Sequence, residues 1–254
     1  MRYLSSRMGR ILLMVLIAGL ATMPLIPNWF PDQAWVTNSR LFSFTQMFML
    51  VTLASNWNLT GGFAGYVDFG HVVFFGIGAY GTAILMNYGW AFWPAMVLGA
   101  VFAMVFALII GYPTLRLRGP YFAIAMLGTF VAVREIVRVW KSLTGGGVGL
   151  TLPPYLNRPL FFWVTLGLAV VVVSLMWWIR RSEFGYTLVA IREDEVGAEM
   201  RGINTTVNKI TAFALAGFST GVVGGLWAYQ NTFIDPDIVF LPSRTVELVM
   251  MAML

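Results

Sequence analysis

Asp68 and His71 stand three residues apart inside "NLTGGFAGYVDFGHVVFFGIGAYG", residues 58 to 81, and His71 is the chain's only histidine. A carboxylate and an imidazole at that spacing touch if both are helical. The pair could carry a proton, or it could be a structural contact; the rule that buried polar groups are paired favours a hydrogen-bonded structural histidine. Neither residue has a third catalytic member within sequence reach, which argues against a membrane-embedded enzyme, although spatial neighbours are invisible in a sequence. One histidine cannot build a histidine-rich metal site. With no cysteine, disulfides, thiolate metal sites and cysteine nucleophiles are excluded. No catalytic residue, metal or cofactor is expected.

The same stretch breaks on Gly61, Gly62 and Gly65, which permit unusual dihedrals and close helix approach. Irregular backbone at membrane depth is tolerated only where protein covers it or where it lines a watery cavity. Gly61, Gly62, Gly65, Asp68 and His71 are therefore candidate residues of a solute pathway. The alternative is a glycine-rich turn at the cytoplasmic interface, with Asp68 capping the next helix.

The elements that must position these residues are membrane helices. The chain is 59% hydrophobic, with a mean hydropathy of +0.78 and only 11% charged residues, against about 25% in soluble domains. Runs free of Asp, Glu, Lys and Arg cover Ile11 to Phe30, Leu41 to Phe63, Pro94 to Leu115, Pro159 to Ile179 and Ile210 to Ile234. Each is near the roughly 20 residues a helix needs to cross hydrocarbon. A soluble helical core would need charged faces between these runs, and they are absent. The fold class is an all-α integral membrane protein, a polytopic bundle forming one transmembrane domain over residues 1 to 254. The opening basic-then-apolar segment lacks a small-residue cleavage site and is expected to be an uncleaved first span.

Charge sets the orientation. With Arg2, Arg7 and Arg10 in the cytoplasm, counting crossings puts Arg116, Arg118, Arg180, Arg181, Arg192, Arg201 and Lys209 on that same side. Arg40, Lys141, Arg158 and Arg244 fall on the other, with Arg134 and Arg138 near it. This count requires a reversal of direction between "LFSFTQMFMLVTLASNWNL" and "VVFFGIGAYGTAILMNY", and the glycines sit there. Basic residues follow topology and form no patch with interleaved aromatics, so nucleic acid is not an expected partner.

Residues 180 to 209 hold ten of the 27 charged residues (16 basic, 11 acidic). Val189, Val196, Met200 and Ile203 share one helical face by spacing, with Asp194 and Arg201 opposite, so the segment reads as a short amphipathic helix pair on the cytoplasmic surface. A helix lying in lipid headgroups would favour a lysine-rich polar face, whereas "REDE" is acidic on balance. A docking site for a cytoplasmic protein fits that charge better.

"NLTGGFAGYVDFGHVVFFGIGAYGTAIL", "LRLRGPYFAIAMLGTF", "LTGGGVGL" and "AIREDEVGAEMRGINTTVNKITAFALAGFSTGVVGGLWA" together resemble, in kind and order, the permeases of ABC transporters for branched-chain amino acids. The likeness runs from the second helix onward and is greatest to the larger of the two permease subunits. It implies import of leucine, isoleucine, valine or a related small solute, with urea and short amides as the alternative. It also implies two ATP-binding subunits, a second permease subunit, an extracytoplasmic substrate-binding protein, and a multi-pass location in the inner (plasma) membrane. Arg192, Glu193, Asp194, Glu195 and Gly202 then correspond to the coupling helix that sits in a groove of an ATPase subunit. Three departures stand out: Tyr66 and Asp68 replace a Gln and a Ser often found in the family, Gly197 replaces an alanine, and the chain stops in "VELVMMAML" where the family continues, so a C-terminally incomplete chain is expected.

"TGGGVGL", residues 144 to 150, lacks the Gly-Lys-Ser/Thr of a phosphate-binding loop and reads as an extracytoplasmic turn. "GFSTG", residues 217 to 221, reads as helix packing. Arg134, Glu135 and Arg138 are expected to snorkel to the interface rather than form a buried ion cluster. An ion-coupled secondary carrier also uses broken helices, but it has no need of the charged island.

Overall fold

The computed structural model describes residues 18–25, 38–117, 119–154 and 157–253. Arg2, Arg7, Arg10, Arg118 and most of the expected first span lie outside the described residues. Among the described residues the helices of six or more residues are α1 (Asn38–Asn58), α2 (Val72–Asn87), α3 (Phe92–Thr114), α4 (Pro120–Val139), α5 (Arg158–Ile179), α6 (Glu183–Glu193), α7 (Glu195–Met200), α8 (Thr205–Asn231) and α9 (Pro242–Met253). Three of them, α3, α5 and α8, are long and apolar enough to cross a membrane by length and composition alone. Helices are the natural solution in lipid because each backbone donor and acceptor is satisfied within its own segment.

Polar residues set the boundaries. Gly119 takes φ 57° and Pro120 opens α4 at its first turn, where its missing N–H costs nothing. Asn157 caps α5 by accepting from the Leu160 N–H at 3.2 Å. Ser182, Asp194 and Asn204 each cap the helix that follows, accepting from Gly185, Gly197 and Val207 at 3.3, 3.0 and 3.0 Å. Asp194 is extended (φ −155°), which stops α6 before α7 begins.

The core is a three-helix packing of α8 against α2 and α3. Gly217 and Gly221 of α8 face Ala103, Ala107 and Ala100 of α3, all three alanines fully buried. Gly224 of the same helix lies on the Phe75 carbonyl of α2, where an added Cβ would overlap backbone. Small residues let helix backbones approach to van der Waals range, which is how helices associate without a hydrophobic driving force. α1 packs on α5 through edge-on aromatic contacts, Phe48 to Phe162 at 5.3 Å among them. Outward-facing Phe102, Ile109, Ile124, Val131 and Val171 are exposed, as lipid-facing side chains must be.

The two ends of the bundle differ. At one end β1 (Leu150–Thr151) pairs antiparallel with β2 (Phe233–Ile234). The "TGGGVGL" turn lies here, with Gly145, Gly146 and Gly149 at positive φ. Arg134 reaches across to Asp237 on the exposed turn that follows β2, while Glu135 and Arg138 are half exposed. They form no buried ion cluster. The charged island occupies the opposite end, and its Lys209 bonds the Leu115 carbonyl at the end of α3. Trp90, Trp93, Trp140, Trp177 and Trp178 stand exposed beside helix ends, as an aromatic belt would.

The island is indeed a helix pair, α6 and α7, but its apolar face differs from the one the spacing implied. Leu188, Ile191 and Ala198 point inward, whereas Val196 is 49% and Met200 85% exposed. The extended Asp194 rotates α7 relative to α6, so a single helical wheel drawn across both misassigns the second half.

Candidate functional site

The glycine segment and the charged island, read separately in the sequence, are in contact. α1 runs directly into a π-helical turn, Leu59–Phe63, that holds Gly61 and Gly62. Such turns leave the regular i to i−4 pattern and are frequent at functional sites. Neither of these glycines takes a positive φ. Gly65 does, at 76°, and the chain reverses there. The Arg192 side chain of α6 fills the space a Cβ at Gly65 would need, and its Nη1 donates to the Gly62 carbonyl at 2.8 Å. Glu193 pairs with the same guanidinium through Nη2 at 2.6 Å.

Beside this contact lies a buried polar cluster. Lys209, 4% exposed, donates from Nζ to Glu195 Oε1 at 2.6 Å, to the Leu115 carbonyl at 2.9 Å and to the Tyr66 hydroxyl at 3.1 Å. The Tyr66 hydroxyl in turn donates to Glu195 Oε2 at 3.2 Å. Burial pushes the Tyr66 phenol above its ordinary pKa, so it keeps the proton it donates. Four segments thus converge on one ammonium: the reversal loop, the end of α3, the start of α7 and the first turns of α8. A cleft of about 320 Å³ opens above them, lined by Gly65, Tyr66, Arg192, Glu193, Asp194 and Val196.

Asp68 and His71 sit one level deeper and are fully buried. Asp68 lies in the loop before α2 and not in a helix, yet the pair touches. Asp68 Oδ1 accepts from the Gly70 N–H at 2.8 Å, which folds a tight turn and brings His71 Nδ1 to 3.1 Å from Oδ2. The other ring nitrogen, Nε2, is 2.8 Å from Thr220 Oγ1 of α8. Trp57 Nε1 of α1 donates to the Asp68 carbonyl at 2.8 Å. The order carboxylate, imidazole, hydroxyl is that of a nucleophilic triad, but Thr220 is 0% exposed and no reacting atom could reach its oxygen. Its role is to tie α1, α2 and α8 together, in line with the structural reading of His71.

Sequence reasoning named Gly61, Gly62, Gly65, Asp68 and His71 as one group and Arg192 to Glu195 with Gly202 as another. The structure joins the two groups through Arg192 and through Glu195. Asp194 is the cap of α7, and Gly202, at φ 85°, turns the chain from α7 into α8. Lys209 and Thr220 were missed as site residues. Lys209 gave a signal, being a cation at the head of an apolar helix; Thr220, inside a small-residue packing motif, gave none.

A valine at position 65 should reduce solute uptake at least severalfold while the protein still inserts. It would place a branched side chain at positive φ, at a cost of about 1–2 kcal/mol, and would expel Arg192. Uptake at equal membrane protein levels checks this, and Gly65→Asn, which tolerates that backbone better, should be the milder change.

The family model described as "Branched-chain amino acid transport system / permease component" matches residues 39–254. Among curated proteins, the chain is similar to the high-affinity branched-chain amino acid transport system permease protein LivM of Salmonella typhimurium, at 29% identity over 228 residues, 76% of this chain and 53% of the relative. LivM of Escherichia coli is 28% identical over the same extent. The autoinducer 2 import system permease protein LsrC of Salmonella paratyphi B is 29% identical over 128 residues, 48% of this chain and 34% of the relative. The chain spans about half the length of the LivM relatives it matches. No solved structure matches it.

Proposed function

The chain belongs to the branched-chain amino acid transport system permease family, and on that premise we propose that it is the membrane-spanning subunit of an ATP-driven importer for leucine, isoleucine, valine or a close relative. It performs no catalysis. An extracytoplasmic binding protein delivers the solute, a second permease subunit completes the pathway, and ATP-binding subunits drive the cycle from the cytoplasm. The N-terminus is cytoplasmic in this reading, and so is the end that holds α6 and α7.

The observation that carries the reading is the grip of Arg192 on the reversal loop, through the Gly62 carbonyl and the space at Gly65. An ATPase subunit that moves α6 and α7 pulls on the π-helical turn directly. Arg192, Glu193, Asp194, Glu195 and Gly202 form the coupling unit, each in a different way. Arg192 transmits, Glu193 orients it, Asp194 and Gly202 shape the hairpin, and Glu195 anchors it to Lys209. The surface left for a partner combines the exposed apolar side chains of Val196 and Met200, and Tyr186 at 65% exposure, with the exposed charges of Glu193, Glu199 and Arg201. Gly61, Gly62, Gly65, Asp68 and His71 belong to the part that yields or resists, so alternating access is a rearrangement about this loop. An ion-coupled carrier would leave the charged hairpin without a task.

A Met200→Glu substitution replaces the most exposed apolar side chain of the docking surface with a further negative charge. Leucine uptake should fall about tenfold at unchanged membrane abundance, together with loss of ATPase subunits from the purified complex. If pull-down from native membranes recovers no ATPase subunit with the unaltered chain, or if uptake persists on an ion gradient without ATP, the importer reading fails.

A further inference from the structure

Arg244 is half-buried at the start of α9, and its side chain makes no hydrogen bond or ion pair with the described residues. Its guanidinium instead lies over two aromatic faces, Trp227 of α8 at 4.4 Å and Phe75 of α2 at 5.2 Å. The aromatic faces hold the plane of the guanidinium and contribute to its stability as a cation, but they leave its N–H donors unmatched. A half-buried cation is costly and normally finds an anion; the Glu247 carboxylate one turn along α9 acts on it without a direct ion pair. Arg244 lines a cavity of about 160 Å³ whose other walls are Gln46, Met49, Leu53, Val72, Phe75 and Glu247, halfway along α1. An apolar cavity of about 150 Å³ is enough to hold benzene, so this one suits a solute of that size or slightly larger.

We infer that this cavity is a binding site for an apolar α-amino acid, with Arg244 taking the carboxylate, Glu247 facing the ammonium, and Met49, Leu53, Val72 and Phe75 enclosing the side chain. The inference rests on the amino-acid import reading and adds to it a solute site within the permease itself. A planar guanidinium matches a carboxylate through two parallel hydrogen bonds, and the aromatic shelf fixes its plane in advance, so little ordering remains to be done on binding. Glu247 is one helical turn from Arg244 on the same helix, which sets opposite charges at the two ends of an amino-acid head group. Urea and simple amides carry no charge for either residue, and the apolar wall offers them little.

The test is equilibrium binding of radiolabelled leucine to the purified, intact membrane complex without its extracytoplasmic binding protein. Saturable binding is expected, with leucinamide, which lacks the carboxylate, competing at least roughly tenfold more weakly than leucine. In Arg244→Gln that preference should vanish, and in Arg244→Lys it should be partly kept, because the charge remains while the fork is lost. The analogue comparison on the unaltered protein stands even if a variant folds poorly. Leucine uptake by the unaltered transporter, combined with no preference for the carboxylate or with an unchanged preference in Arg244→Gln, overturns this site while the import reading stands. Uptake of urea and not of leucine overturns both.

Discussion

Lys209→Met should cost about 3–5 kcal/mol of stability and abolish most transport, because it removes the buried ammonium that Glu195, Tyr66 and the Leu115 carbonyl share. Lys209 and Glu195 are 4% and 17% exposed, so solvent screening does little to soften the loss. The substitution also frees the Leu115 carbonyl and detaches the start of α7 from the first turns of α8, cutting the second of the two links between hairpin and loop. Glu195→Gln should also destabilise, because the buried ammonium loses its carboxylate partner even though the amide oxygen still accepts from Lys209. The double variant Glu195→Gln, Lys209→Met should be more stable than Lys209→Met alone, as it removes the carboxylate together with its Lys209 partner. Thermal inactivation in detergent and leucine uptake at matched protein levels measure the two halves of this result. Equal melting of the Lys209→Met and unaltered proteins would show that the cluster does not hold the hairpin.

His71→Ala is expected to be comparably severe. It strands the Asp68 carboxylate with a single N–H donor, that of Gly70, removes the partner of Thr220, and opens a cavity between α2 and α8. Stranding a buried hydrogen-bonding group costs about 1–3 kcal/mol, more for a carboxylate, and the cavity adds to that. Asp68→Asn should be tolerated to within about 1 kcal/mol. The asparagine oxygen still accepts from Gly70, its amide donates to Nδ1, and the imidazole changes tautomer so that Nε2 donates to Thr220. Stability together with uptake measured on the two variants therefore separates a structural tie, where Asp68→Asn melts and transports normally, from a proton carrier. If Asp68→Asn inserts and melts normally but transports nothing, the carboxylate carries a proton and the structural reading is wrong.

The aromatic shelf under Arg244 and the Lys209 cluster illustrate one constraint. Both cations are held by contacts from several segments, and only some of those contacts were visible beforehand. Lys209 could be flagged from the sequence as an isolated cation, yet its partners come from positions 66, 115 and 195. The pairing of Asp68 with His71 was legible from spacing, although the contact is made by a turn and not by a helix face. The apolar face of the hairpin was misjudged because helical periodicity assumes an unbroken helix, and Asp194 interrupts it.

The sequence by itself determined the all-helical membrane fold, the reversal at the glycines and the helix-pair character of the charged island. These follow from local rules: apolar length, backbone freedom at Gly65 and capping at Ser182, Asp194 and Asn204. Only the tertiary structure decided that Arg192 fits against Gly65, that Thr220 completes the buried polar chain, and that Arg244 faces a cavity. Those contacts join residues more than a hundred positions apart, and which of many polar groups meet depends on how α8 nests into α2 and α3. That nesting is fixed by the shapes of packed helix faces, which are a property of the assembled bundle and not of any one segment.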